Sequence, residues 1–206
     1  AVLVWSIKNP VNPERRYRYN ISVSAVEFSQ KNPQLLAVAL YDGTIEVIDV
    51  TSINPDERKA VVAKSERLSS PGVEPVWQIQ WLQLKEKEYI LSGSQDGRVM
   101  KYEIGSGPYL VGYTQLRLDR IEGVVEALHV EHKKTFIEAD RHPQILCLQK
   151  HPLNQEIYIV GTDEGCIHVC SVNFPHQHIG VYQVHSSGVY CIDFSPFSPK
   201  IFLTAG

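Results

Sequence analysis

Three stretches of similar sequence decide the fold: LLAVALYDGTIEVIDV (35–50), YILSGSQDGRVMKYEI (89–104) and IYIVGTDEGCIHVCSV (157–172). Each has an apolar run, a small residue, an acidic residue followed by glycine, and a second run that alternates apolar and polar residues. An acidic residue followed by glycine, between two strand-like runs, indicates a β-hairpin with a two-residue turn, because glycine adopts positive φ without a Cβ clash. The sequence therefore predicts three equivalent hairpins, with turns at Asp42-Gly43, Asp96-Gly97 and Glu164-Gly165.

Further strands are predicted on both sides of each hairpin. Short runs with period-two alternation precede the hairpins at 24–29, 76–81 and 145–148, and a fourth such run lies at 189–194. Alternation with β-branched and aromatic residues is typical of strands, and the prolines that follow most of these runs end them in a turn. A looser apolar run follows each hairpin. Four strands in a repeated unit predict an all-β fold, a β-propeller built from radial four-stranded blades.

The repeat also sets the expected domain boundaries. Residues 2–7 align with the third strand of a blade, and residues 202–206 align with the second. We therefore expect three complete blades and two half-blades, in a chain that is a segment of a longer protein, since a closed ring has about 4–8 blades. The predicted units are 1–21 as the end of a preceding blade, 22–73 as a blade, 74–143 as a blade with an insertion at 117–142, 144–187 as a blade and 188–206 as the first half of a blade.

One dipeptide position links the repeat to a known family. Trp5-Ser6, Ile48-Asp49, Tyr102-Glu103 and Cys170-Ser171 fall at the same place in the unit, 43, 54 and 68 residues apart. WD repeats carry a Trp-Asp dipeptide at this place and have a period of about 40–45 residues. The chain resembles WD repeats with a degenerate dipeptide, and the longer spacings imply insertions within 65–73 and 117–142.

Longer motifs make the resemblance more specific. VWSIKNP (4–10), EPVWQIQW (74–81) and VGTDEGCIH (160–168) are similar to motifs of axonemal dynein intermediate chains, as are the LAV…YDG hairpin at 36–43 and the stretch from Phe197 to Leu203. The similarity covers nearly all of the chain outside 117–142. The Asn9-Pro10 pair followed by Pro13-Glu14-Arg15 favours the inner-arm type over the outer-arm type.

This resemblance implies a function. A dynein intermediate chain is a non-catalytic scaffold subunit that docks on the heavy-chain tail and helps anchor the motor on ciliary doublet microtubules, through docking factors there. The implied partners are the heavy chain, other intermediate chains and light chains, which bind regions outside this segment. The implied location is the axoneme of a cilium or flagellum, with cytoplasm as the site of assembly. The alternatives are a cytoplasmic dynein intermediate chain or a WD-repeat adaptor of another complex.

Composition and motifs give no sign of an enzyme. No P-loop or nucleophile motif is present, and the strand starts that would line a propeller channel (Ser24, Trp77, Leu146 and Tyr190) do not supply convergent polar groups. No cofactor is expected. Net charge is −3, without a face rich in Lys and Arg, so the sequence does not predict nucleic-acid binding. No apolar run reaches the 18 residues of a membrane span.

Cys166, His168 and Cys170 form the best candidate for a metal site. They alternate along one predicted strand and therefore share a face. At about 3.3 Å per residue the outer two lie roughly 13 Å apart, whereas zinc–ligand bonds are about 2.0–2.3 Å long. One strand cannot surround a metal in this way, so we interpret the three residues as packing and expect no metal.

The partner-binding site is predicted on one rim. In a propeller, the turns between second and third strands converge with the starts of first strands, which places Tyr41, Gln95 and Asp163 beside Trp77 and Tyr190. Aromatic residues are enriched among interface hot spots, so these five are the candidate docking residues; the alternative is that the aromatics only pack between blades. The acidic-glycine pairs are assigned to structural turns. Burial between blades is expected for Val26, Phe28, Ile79, Trp81, Leu148, Ile192 and Phe194.

Overall fold

A computed structural model describes residues 1–52, 60–65, 74–119 and 142–206, and these contain no α-helix. Their strands are β1 (Val2–Val4), β2 (Arg15–Tyr17), β3 (Val23–Phe28), β4 (Leu35–Leu40), β5 (Ile45–Asp49), β6 (Val61–Ser65), β7 (Val76–Leu84), β8 (Lys87–Ser94), β9 (Arg98–Ile104), β10 (Tyr109–Arg117), β11 (Ile145–Lys150), β12 (Ile157–Thr162), β13 (Cys166–Ser171), β14 (His178–Gln183), β15 (Cys191–Phe194) and β16 (Phe202–Ala205). None of the described residues forms a helix long and apolar enough to cross a membrane.

The strands form blades as the repeat predicts. Antiparallel neighbours give the orders β3-β4-β5-β6, β7-β8-β9-β10 and β11-β12-β13-β14, and two-stranded sheets β1-β2 and β15-β16 flank them. One pairing was not predicted from the sequence. The outermost strands β6 and β10 pair in parallel at Lys64–Tyr109 and Ser65–Leu110, and this joins the first two blades into one eight-stranded sheet.

Apolar clusters fill the spaces between adjacent blades. Ala37, Val47 and Ala63 of the first blade pack with Ile79 and Trp81 of the second. A second cluster joins Leu91 and Leu116 of the second blade to Leu148, Tyr158 and Cys170 of the third. A third cluster joins Cys147, Ile159 and Ile167 to Val189 and Ile192. Both faces of a blade therefore lose contact with water where a neighbouring blade covers them, and this burial is the main source of stability.

The small residue of each hairpin lies on the second strand of its blade and lets side chains pack closely against it. Gly161 pairs with Cys147 of β11, and a Cβ at Gly161 would lie 2.6 Å from the Cys147 sulfur and 2.9 Å from Val189. The equivalent Gly93 would place a Cβ 2.5 Å from Ile145. These contacts bring the next blade against the backbone of the preceding one, which explains why the repeat has only Ala or Gly here.

The predicted core is correct at four positions and wrong at two. Ile79, Trp81, Leu148 and Ile192 are buried, and Phe194 is half-buried. Val26 and Phe28, however, are 51% and 45% exposed. They lie on the face of β3 that points away from β7, and β1 and β2 cover other parts of the first blade, where Val2 and Tyr17 pack with Leu36, Val38 and Ile48.

The predicted insertions fall mostly outside the described residues, and their bounds stay predictions. The described residues at the edges of the 117–142 insertion contact the second blade. Arg117 belongs to β10, and the buried Leu118 donates its backbone N–H to Gly97 O at 2.8 Å. His142 Nδ1 lies 3.1 Å from Leu118 O, so both edges of the insertion are fastened to the second blade. The other blade boundaries stay predictions.

Candidate docking rim

The hairpin turns form one side of the rim. Gly43, Gly97 and Gly165 have φ values of 78°, 75° and 81°, and Gly43 donates its N–H to Leu40 O at 3.0 Å. The turns differ from the two-residue type that the sequence suggested, because the acidic residue before each glycine does not have positive φ. Each is a three-residue loop in which only the glycine is left-handed. The residue at the start of the loop, such as Tyr41, is therefore carried on a defined turn.

The acidic residues support these turns in different ways. Asp42 Oδ1 accepts the N–H of Thr44 at 3.1 Å, and Asp96 Oδ1 accepts the N–H of Arg98 at 3.3 Å. In the third hairpin, the backbone oxygen of Glu164 instead accepts Gln183 Nε2 at 3.0 Å. A carboxylate in the turn thus replaces a missing backbone acceptor in the first two blades, as Asx turns do.

The strand starts form the other side of the rim, and those of β3, β7 and β11 each have a β-bulge. The register shifts between Val23 and Ala25, between Val76 and Gln78, and between Ile145 and Cys147. The extra residues are Ser24, Trp77 and Leu146. A bulge changes the direction of a side chain relative to the regular pleat. The period-two pattern gives no sign of these bulges.

The structure brings four of the five candidate docking residues together as two pairs. Tyr41 of the first blade meets Trp77 of the second, with ring centroids 5.6 Å apart and ring planes at 83°. Asp163 and Tyr190 both lie close to Gly188, where a Cβ would lie 3.3 Å from Asp163 Cα and 3.5 Å from Tyr190 Cζ. In both pairs, the turn of one blade meets the first strand of the next.

The fifth candidate residue, Gln95, is fixed by a backbone hydrogen bond. Its N–H donates to Pro75 O at 2.9 Å, within its own blade, and its side chain is half-buried. Asp163 has a similar internal bond, because its N–H donates to Gln144 O at 3.1 Å and its Oδ1 accepts the Gln144 N–H at 2.8 Å. These bonds fix the turns against the strand starts, so the rim is a rigid surface.

Exposure differs among the three aromatic residues of the rim. Tyr190 is 67% exposed and Tyr41 is 50% exposed, whereas Trp77 is half-buried. Trp77 Nε1 is buried, and no hydrogen-bond partner for it occurs among the described residues. Trp77 therefore packs edge-on against Tyr41. The two tyrosines provide most of the accessible aromatic surface of these three residues.

A polar link between three blades was missed by the sequence analysis. Glu27 Oε2 accepts the backbone N–H of Trp81 at 2.6 Å, and the Trp81 indole donates to Glu27 O at 2.9 Å. Lys150 Nζ donates to Trp81 O at 2.6 Å. Burial raises the pKa of Glu27 to about 7 and lowers the pKa of Lys150. The only sign of this link in the sequence is that Glu27 carries a charge at a position where the next two blades have the uncharged Gln80 and Gln149.

The candidate metal residues are occupied by packing and hydrogen bonding. Cys166 Sγ donates to Gln183 Oε1 at 3.0 Å, and the His168 ring lies 5.5 Å from the His178 ring. Burial raises the pKa of Cys166 to about 11 and that of Cys170 to about 12, so both stay protonated thiols. Burial lowers the pKa of His168 to about 4. Across the described ranges, no three His, Cys, Asp or Glu side chains are arranged to hold a metal ion.

Solved structures and a family model agree on the fold. The family model described as "WD domain, G-beta repeat" matches residues 176–206. The β-propeller domain of Cps50 (Swd1) from Myceliophteria thermophila superposes with a TM-score of 0.64 at 12% identity, over 94% of this chain and 52% of that domain. A chain of a mitotic checkpoint complex superposes with a TM-score of 0.62 at 13% identity, over 95% of this chain and 47% of that one. With the blades described above, these matches define the chain as part of a WD-repeat β-propeller.

Curated relatives make the class more specific. Over 97% of its length, the chain is 33% identical to mouse and 35% identical to human dynein axonemal intermediate chain 4, and it covers 25% and 24% of those proteins. It is 29% identical, over 98% of its length, to the 78 kDa intermediate chain of the flagellar outer-arm dynein of Chlamydomonas reinhardtii, of which it covers 29%. The chain thus spans about a quarter of the length of the relatives it matches. The resemblance to axonemal dynein intermediate chains is confirmed.

Proposed function

We propose that this chain belongs to a non-catalytic scaffold subunit of an axonemal dynein, which docks on the heavy-chain tail and helps anchor the motor on the doublet microtubules of a cilium or flagellum. The names of the relatives support an axonemal dynein subunit. Other intermediate chains, light chains that bind outside this segment, and doublet-associated docking factors complete the proposed set of partners. Assembly takes place in the cytoplasm.

One observation carries the docking step: aromatic side chains from different blades meet on one rim. Tyr41 lies against Trp77. Tyr190 lies at the start of β15, after the third blade, and is 67% exposed. Large aromatic residues on a rigid surface are preferred interface anchors, because they bury much area and lose little conformational entropy. Among the described residues, Glu27, His168 and Cys170 have shifted pKa values because they are buried within packed blades, and none of the three lies on this rim.

The test uses the full-length protein in its dynein complex. Trp77→Ala and Tyr190→Ala are each expected to reduce heavy-chain recovery on co-purification by more than about tenfold, since hot-spot truncations cost about 2 kcal/mol or more. The matched control is Tyr113→Ala, which removes a tyrosine of similar exposure (52%) from the outer strand β10. Circular dichroism and thermal unfolding show whether each variant folds.

The outcomes separate the alternatives. Unchanged heavy-chain recovery by both folded rim variants would reject this rim as the heavy-chain site. Recovery of a cytoplasmic rather than an axonemal heavy chain with the unmodified protein would favour a cytoplasmic dynein intermediate chain. Recovery of no dynein heavy chain would favour a WD-repeat adaptor of another complex. The inner-arm assignment stays a prediction that the identity of the recovered heavy chain decides.

A further inference from the structure

We infer that the rim binds a positively charged segment of its partner, with Lys or Arg side chains placed over Tyr41 and Tyr190 and beside the neighbouring carboxylates. This inference rests on the proposed function, because it specifies the chemistry of the heavy-chain segment that docks here. It concerns an interaction surface for a basic protein segment rather than a site for a small ion.

The charge of the rim is the first argument. The described segments that form it are 20–24, 41–44, 74–78, 95–97, 142–146, 161–165 and 185–190, and they contain no Lys or Arg. Three arginines border these described segments: the exposed Arg18, Arg98, whose Nε lies 3.0 Å from Asp96, and the exposed Arg117 at the end of β10. The carboxylates of the described segments outnumber these three cations, so the described part of the rim has an excess of negative charge. The acidic residues of the rim segments are Asp42, Glu74, Asp96, Asp163 and Glu164.

On the opposite rim, the described turns between first and second strands have more basic than acidic residues. The turns between first and second strands lie there, at 29–34, 85–86, 151–156 and 195–201. The chain as a whole has a net charge of only −3, so the charge of the docking rim comes from an uneven distribution. Such a distribution steers a partner of opposite charge toward one face. In or beside the opposite turns lie the basic residues Lys31, Lys85, Lys87, Lys150 and Lys200 and the acidic residues Glu86, Glu88 and Glu156.

The arrangement of aromatic rings and carboxylates is the second argument. Asp42 follows Tyr41 directly, and Asp163 and Tyr190 both lie close to Gly188. A cation over an aromatic face gains about 0.5–2 kcal/mol, and a carboxylate beside the ring adds attraction of the same sign.

The two tyrosine positions also set the kind of segment that fits. Tyr41 lies at the junction of the first and second blades, and Tyr190 lies at the junction of the third blade with β15. Cations must therefore reach two separate places on the same rim. An extended or helical partner segment with basic residues spaced along it meets this requirement, and one isolated cation does not.

The experiment neutralises the rim without changing side-chain shape. The triple variant Asp42→Asn, Glu74→Gln and Glu164→Gln is made in the full-length protein, and the asparagine side chain keeps an oxygen that can accept the Thr44 N–H. The matched control, Glu14→Gln with Glu86→Gln and Glu156→Gln, removes the same number of negative charges from exposed positions of the opposite rim. Heavy-chain co-purification is measured over a series of NaCl concentrations.

We expect the rim variant to bind heavy chain on the order of tenfold more weakly at about 0.1 M salt, with a smaller loss of binding as salt rises. The control is expected to match the wild type. Equal loss in the control would overturn the inference, because net charge rather than the rim would then be responsible. Unchanged binding and salt dependence of the rim variant would also overturn it. If Trp77→Ala and Tyr190→Ala still lose heavy chain in that case, the proposed docking function stands; if they too keep it, both fail.

Discussion

The innermost strands of the first two blades have the same place in the repeat but opposite surroundings. Ile79 and Trp81 of β7 are each 1% exposed, whereas Val26 and Phe28, at the same register of β3, are 51% and 45% exposed. The sequence patterns of the two strands are alike. The difference is that β7 has β3 packed on the face that carries these residues, and the corresponding face of β3 has no such strand among the described residues. Burial here is a property of two adjacent blades and not of one strand.

The largest effect expected from this difference is on stability. Trp81→Ala should lower the free energy of unfolding by about 3–5 kcal/mol, because it removes a fully buried ring and leaves a cavity between two blades. Phe28→Ala should cost less than about 1 kcal/mol in this segment, because 45% of its surface is already exposed to water. Urea unfolding of both variants compares them directly. Similar losses for the two would show that the register assigned to β3 or β7 is wrong.

A buried histidine in the third blade tests whether burial between adjacent blades makes the stability depend on pH. His168 is on the side of β13 that carries Cys170, which packs against the second blade, and burial lowers its pKa to about 4 from 6.5. The unfolded chain therefore binds a proton between pH 6.5 and pH 4 that the folded chain does not, and stability falls as the pH falls through this range. The loss of stability over this range is about 3 kcal/mol.

Replacing this histidine isolates its contribution. His168→Leu should remove that part of the acid dependence, whereas His151→Leu, at a less buried position, should retain it. Unfolding midpoints in urea, measured from about pH 7 to about pH 4, give the slopes. An unchanged slope in His168→Leu would mean that the side chain is hydrated in the folded protein.

The smallest expected effect concerns the two blades compared above. Glu27 of β3 has a pKa of about 7 because of burial, whereas Gln80 of β7 holds the equivalent position without a charge. The folded state binds the Glu27 proton more tightly than the unfolded state, so stability falls as the pH rises from about 4.5 to about 7. Glu27→Gln should therefore be about 1–2 kcal/mol more stable than wild type at about pH 8, and similar at about pH 5.

The measurement is thermal unfolding at both pH values. Glu156→Gln, at an exposed position, is the control and should show no such difference. A Glu27→Gln variant that is less stable at the higher pH would show that the electrostatic attraction of Lys150 for Glu27 outweighs the cost of burying the carboxylate.

Much of the fold was predictable because it depends on local chemistry. Gly43, Gly97 and Gly165 have positive φ at the predicted hairpins, and alternation placed most strands. What was missed depends on neighbouring blades. The exposure of Val26 and Phe28 follows from which sheet covers β3, and the bulges at Ser24, Trp77 and Leu146 are invisible to a period-two pattern. At the rim, the pairing of Tyr41 with Trp77 could be predicted from the order of elements. The link from Glu27 through Trp81 to Lys150 could not, because its members are 54 and 69 residues apart.

The parallel pairing of β6 with β10 has a mechanical consequence. Adjacent blades of a propeller are usually held by side-chain packing, and a repeat array is as strong as the interfaces between its neighbours. Here the first two blades also share backbone hydrogen bonds, such as Lys64 N–H to Pro108 O at 3.0 Å, so a pull along the sheet passes through their outer strands as well as their core. Under load the first two blades are therefore coupled through their outer strands in addition to the apolar core between them.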